Sequence, residues 1–149
     1  MNVTAVDSPQ AMARVLALVL IADTELGPEE VLALDELNVC ERLGISRTEF
    51  MDIARHFCAQ LGQRMGPADT LRLSDPLLVD EVLAGVSHPG LRLLVARLAA
   101  GLIVADGRVR AAERRLYLHL LARWGLSERL VTAFILAERR PFAEALAEP

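Results

Sequence analysis

The sequence predicts an all-α fold of about seven helices, arranged as two pseudo-symmetric three-helix repeats joined by a short connector helix. Three observations predict it. Hydrophobic residues make up 53% of the chain and aromatic ones only 4%; Leu and Ala dominate, and the β-branched and aromatic residues that favour strands are sparse. Helix-start and helix-stop residues recur between apolar segments of helical period, and no segment alternates as a half-buried strand does. A stretch of the first half also recurs in the second. The 149 residues suit a single domain able to bury a core without disulfide or metal staples.

Ser8-Pro9 opens the first helix, with a capping hydroxyl followed by proline in the first turn, and the helix runs to about residue 22. Gly27-Pro28-Glu29-Glu30 starts a second helix that runs to about Leu43 and stops at Gly44, a residue suited to a left-handed C-terminal cap. Ser46-Arg47-Thr48-Glu49 reads as a capping box, and Phe50, Ile53, Ala54, Phe57 and Leu61 then form one stripe of a third helix. Residues 62–73 form the main loop, broken by Gly66-Pro67. Ser74-Asp75-Pro76 opens a short fourth helix, ending near Val86, and Ser87-His88-Pro89-Gly90 is the next turn and cap. A fifth helix covers about 91–105 and a sixth about 111–124, ending at Gly125. Ser127 caps a seventh, which Pro141 is expected to stop, leaving 142–149 as a tail or frayed turn.

The recurrence is specific. Ala22-Asp23 and Ala105-Asp106 are each followed by an aliphatic residue (Leu26, Val109) and then by Glu30 or Glu113. Arg42-Leu43-Gly44-Ile45-Ser46 then matches Arg123-Trp124-Gly125-Leu126-Ser127, with two extra residues between Glu and Gly in the first copy. The domain 1–149 therefore divides into repeat one at about 9–62, a connector at about 63–88 and repeat two at about 89–140. The apolar segments 15–22 and 93–104 (the latter within the run 91–104) are expected to be the central helices of a pseudo-two-fold pair.

Each repeat places an Asp at the end of one helix and a Glu at the start of the next: Asp23 with Glu30, and Asp106 with Glu113. Oxygen-only ligands on a turn suit a hard cation such as Ca²⁺ or Mg²⁺. The stretch 106–113 mimics the second half of an EF-hand loop, but Leu102 and Val104 stand where the first acidic ligands belong. The plainer alternative is structural: first-turn acids stabilise a helix by about 0.3–1 kcal/mol with no ligand, and Asp forms turns.

The pattern carried by Ala105, Asp106, Gly107 and Glu113, repeated as Ala22, Asp23 and Glu30, resembles the tellurite-resistance TerB family and the wider TerB-like domain, also seen in DjlA-type membrane co-chaperones. The Gly-aliphatic-Ser loop and the length add to the resemblance, which covers about 12–138. Thr24 replaces the Gly of the first copy, and Gly27-Pro28 sits in its turn. The resemblance implies a bacterial, cytoplasmic, helical domain with pseudo-two-fold symmetry. It implies a non-enzymatic binding or scaffold module of tellurite or envelope-stress response with protein partners. It also implies a divalent cation, Ca²⁺ or Mg²⁺, held by Asp23, Glu30, Asp106 and Glu113.

Charge and motifs limit the other readings. The formal net charge is −4, which offers no broad attraction to nucleic acid or anionic lipid. It is uneven: residues 1–50 carry nine acids and three Arg, residues 101–149 six acids and eight Arg. Arg108, Arg110, Arg114 and Arg115 crowd the second corner, either neutralising its acids or offering a docking patch, which keeps a metal-free protein-interaction module open. The stretch 40–50 resembles the turn of a DNA-binding helix-turn-helix, but Glu49 and Asp52 beside Arg47 would oppose phosphates. His56, His88 and His119 are far apart and share no motif with Cys40 or Cys58, and no phosphate loop, nucleophile elbow or HExxH motif is present. Catalytic residues and a cofactor other than the cation are thus not expected. Residues 1–10 do not read as a secretory leader, the cysteines suit a reducing compartment, and the two apolar runs are too short for the roughly 20 residues a membrane span needs.

Overall fold

Nine of the twelve residues of the first helix are buried, so this helix is enclosed by its neighbours rather than laid on a surface. The structure, a computed structural model, describes residues 5–20, 28–65, 76–104 and 111–147. Among them are α1 (Pro9–Leu20), α2 (Pro28–Glu36), α3 (Val39–Leu43), α4 (Arg47–Met65), α5 (Pro76–Ala84), α6 (Pro89–Ile103), α7 (Ala111–Trp124) and α8 (Glu128–Ala147), and no strand. The all-α expectation of about seven helices is met.

The helix contacts mirror one another between the halves. α1 packs on α6, α4 packs on α1 as α8 packs on α6, and α3 lies against α1 as α7 lies against α6. Each central helix also touches the middle segment of the other half: α1 meets α7, and α6 meets α2. The connector α5 rests on α1 and α7. The core runs along the α1–α6 contact, with Val15, Leu16, Leu18 and Val19 from one helix and Val95, Leu98, Ala99 and Leu102 from the other, all at most 2% exposed. Burial of such side chains contributes roughly 1.5–3 kcal/mol each.

The turns after α3 and α7 are built alike. Gly44 (φ 83°) and Gly125 (φ 69°) both adopt the left-handed conformation. Ile45 N–H then donates to the Cys40 carbonyl (3.0 Å), and Leu126 N–H to the Leu121 carbonyl (2.8 Å), which closes the same helix-end motif twice. Ser46 Oγ accepts from Glu49 N–H (3.0 Å) and Ser127 Oγ from Leu130 N–H (3.1 Å), capping α4 and α8. Ser8 caps α1 through Ala11 N–H (3.1 Å), and His88 Nδ1 caps α6 through Gly90 N–H (3.0 Å) with Pro89 at the first position.

Two elements differ from expectation. The second helix is not continuous to Leu43: it breaks at Leu37-Asn38, where Asn38 takes a left-handed conformation (φ 54°, ψ 38°). Asn tolerates that region better than other non-glycine residues. α2 and Ala111-started α7 begin at matching positions, and α7 continues unbroken to Trp124, so the two extra residues of the first copy are spent in this break. Leu37 there packs towards α6, where Gly101 leaves room: a Cβ on Gly101 would come within 2.7 Å of Leu37 Cδ1. The seventh expected helix, α8, is not stopped by Pro141 but runs through it to Ala147. Proline removes only its own N–H bond and crowds one carbonyl, which can bend a helix without ending it.

Candidate functional site

The predicted corner residues are only partly within the described structure. Asp23 and Asp106 lie outside the described residues, and of Glu30 only its backbone place in the first turn of α2 is described. Whether the two corners approach each other therefore falls outside those residues as well. Glu113 is described. It sits in the first turn of α7, is 6% exposed, and is the one buried charged residue among those described. Its carboxylate is engaged rather than unpartnered. Placement at the positive end of the helix dipole favours a carboxylate, but that alone does not require burial, which costs free energy unless the charge is compensated. Among the described residues no three His, Cys, Asp or Glu side chains converge as a cation site would require.

Of the arginines near the second corner, Arg108 and Arg110 lie outside the described residues, and Arg114 and Arg115 are turned outward. Arg114 pairs with Glu128 at 3.8 Å, both more than half exposed, and Arg115 Nε reaches the Ala111 carbonyl at 3.4 Å.

A second polar centre joins the halves, and sequence reasoning missed it. Arg97 Nε donates to Glu138 Oε2 at 2.8 Å, and Arg42 Nη2 donates to Glu138 Oε1. The side chains of Arg97, Glu138 and Arg42 are 11%, 25% and 29% exposed. Burial alone would raise the Glu138 pKa, but the bonds from Arg42 and then Arg97 outweigh it and hold the carboxyl below its ordinary value. Glu138 thus ties α8 to α3 of the first repeat and to α6 of the second. In the sequence Arg92 and Arg97 fall within an otherwise apolar run. Arg92 Nε in fact donates to the Val86 carbonyl (2.8 Å), and its guanidinium lies 5.8 Å from the Trp124 ring centre, while Trp124 Nε1 donates to the Leu83 carbonyl (3.1 Å).

Two further anchors hold α5 and the chain start. Asp80 on α5 takes a hydrogen bond from His119 Nε2 (2.8 Å) and faces Arg123 at 3.8 Å, which fastens α5 to α7. Asp7, itself left-handed (φ 62°), accepts from Ser87 N–H (2.6 Å), Ser87 Oγ (2.8 Å) and His88 N–H (3.1 Å). Those bonds, the Ser87 amide first, hold its carboxyl below the ordinary range.

The helix-turn-helix-like stretch spans α3, the Gly44 turn and the start of α4. The exposed face of α4 is charge-balanced: Arg47 pairs with Asp35 (3.0 Å), Arg55 with Asp52 (3.4 Å), and Glu49 accepts from Gln10 Nε2 (3.1 Å). No described helix is long and apolar enough to cross a membrane. Compared with known proteins, the chain matches no family model, no curated protein and no solved structure.

Proposed function

We propose that the protein is a non-enzymatic, TerB-like binding or scaffold module whose acidic inter-helix corners take a divalent cation, Ca²⁺ or Mg²⁺. The observation that carries the reading is the repeated helix plan: α4 packs on α1 as α8 packs on α6, and Gly44 and Gly125 end α3 and α7 in the same left-handed turn. In each repeat the sequence sets an Asp and then a Glu ahead of the middle helix, and oxygen-only ligands suit a hard cation. Glu113, the one of the four whose side chain is described, lies in the first turn of α7 at 6% exposure. The mirrored helix contacts support the duplicated architecture in which a second such corner exists. The role in tellurite or envelope-stress response, and protein partners for it, rest on the resemblance of the Ala-Asp-turn-Glu repeats.

The residues support this reading unevenly. Glu113 fits a ligand's requirements; Asp23, Asp106 and the Glu30 side chain are its proposed companions by sequence equivalence. A DNA-binding role has less support, because the outward charges of α4 cancel and the net charge is −4.

Calorimetric titration of the full chain with Ca²⁺ and with Mg²⁺ tests the proposal. Binding heat is expected for the wild type, with a rise in thermal midpoint at saturating cation. Both should be lost in Glu113→Gln, while its helical circular dichroism stays unchanged. Absence of heat in the wild type at millimolar cation overturns the cation reading and leaves the metal-free interaction module.

A further inference from the structure

We propose that α8 is a strap that opens from α6 as a unit, latched closed by Glu138 between Arg42 and Arg97. The argument starts from the comparison of α4 with α8, which occupy equivalent places against α1 and α6. In α4, Phe50, Ala54 and Phe57 are buried. At the matching positions of α8 stand Val131, Ile135 and Glu138, of which only Val131 is buried. Over residues 131–138, the part of α8 whose side chains are described, the apolar seam that fixes α4 is therefore thinned: Ile135 is only partly buried, and a carboxylate gripped by two guanidinium groups stands where α4 has Phe57. Leu130 and Leu136, on the same helix, are 45% and 58% exposed and add nothing to the seam. Elements with few buried apolar contacts open at lower free energy than the core they cover.

The latch also localises the effect of removing it. With α8 closed, Arg97 is 11% exposed and depends on Glu138 for its counter-charge. Taking that charge away penalises the closed form, whereas an open strap returns Arg97 to water and escapes the penalty. Loss of the carboxylate should thus drive strap opening rather than unfolding of α1 and α6, whose mutual contact does not involve Glu138. The open form presents two guanidinium groups and the flank of α6 to solvent.

Hydrogen–deuterium exchange of the full chain, read by mass spectrometry, tests this. In Glu138→Gln, amides of residues 128–138 are expected to exchange at least about tenfold faster, the scale set by hydrogen bonds to charged groups, and to stay well ahead of α1 and α6, which exchange only through global unfolding. Asp52→Asn, on the exposed pair of α4, serves as the control and should change neither. Should Glu138→Gln fold poorly, the wild type at rising salt gives the same reading, because screening weakens the part-exposed latch. Exchange in α8 that stays in step with α1 and α6 in every case, or an α8 that remains protected without the carboxylate, overturns the proposal.

Discussion

Arg14 on α1 and Arg97 on α6 stand at the same distance before the Asp of their respective corners, yet one guanidinium lies over a ring and the other grips a carboxylate. Arg14 sits 5.4 Å from the centre of the Phe57 ring, and Arg97 bonds Glu138. Phe57 and Glu138 are themselves equivalent, each the same number of residues beyond Ser46 or Ser127. A contact between a central and an outer helix thus recurs in both halves, with an aromatic ring at the outer position in one and a carboxylate in the other.

The difference should make stability depend on acid. The Glu138 carboxyl is held below its unfolded value by Arg42 and Arg97, so its contribution is fully present above the ordinary carboxylate range and is lost as pH falls through the depressed folded value. Denaturant melts of wild type and Glu138→Gln at neutral pH should differ by about 1 kcal/mol, a figure reduced for solvent screening. The two curves should converge as pH drops below the folded value. A gap that persists unchanged in acid would show that the pair contributes no charge-dependent stability.

Gly44 and Gly125 offer a test confined to the backbone. Nothing lies within 4 Å of a Cβ built on either, so the cost of alanine there is conformational alone. Gly44→Ala and Gly125→Ala should each lower unfolding free energy by about 1 kcal/mol, and the double variant by their sum, in urea titrations.

Cys40 is half-buried on α3, and burial followed by the nearby Asp35 charge pushes its thiol pKa up. The thiolate is the reactive form. A disulfide reagent at pH 8 should therefore label Cys40 more slowly in the folded chain than in urea, with peptide mapping used to separate Cys40 from Cys58. Equal rates would mean that the α2–α3 joint opens readily.

Trp124 is the single tryptophan and is 6% exposed. Trp124→Phe removes the bond to the Leu83 carbonyl and leaves a smaller ring beneath Arg92, and should cost about 1–3 kcal/mol. In the wild type, its emission should shift to the red only on global unfolding, since it packs where α5, α6 and α7 meet.

The fold was readable because its signals are local. Ser8, Ser46, Ser127, Gly44 and Gly125 each announce a cap or stop through their own conformational chemistry, and all five perform it in the structure. The two extra residues of the first repeat were visible too, but their placement was not. Helix propensity does not choose where a helix breaks; the packing of Leu37 against the space left by Gly101 bears on that choice. Pro141 misled for the reverse reason, since a breaker's penalty of about 3 kcal/mol can be offset by the helix around it.

Of the candidate site, Glu113 was legible as an acid in a first turn, but its burial was not, because burial depends on what other helices bring over it. The Arg42–Glu138–Arg97 centre was invisible for a simpler reason. Arg97 and Glu138 are 41 residues apart, and Arg42 and Glu138 are 96 apart, in segments that share no motif. Charges at that separation show no pattern until the helices have been assembled.

The enclosure of α1 has a consequence for cutting the chain. Severed from the second half, the first would carry a greasy rod with one flank bare to water, because α6 supplies the cover on that side.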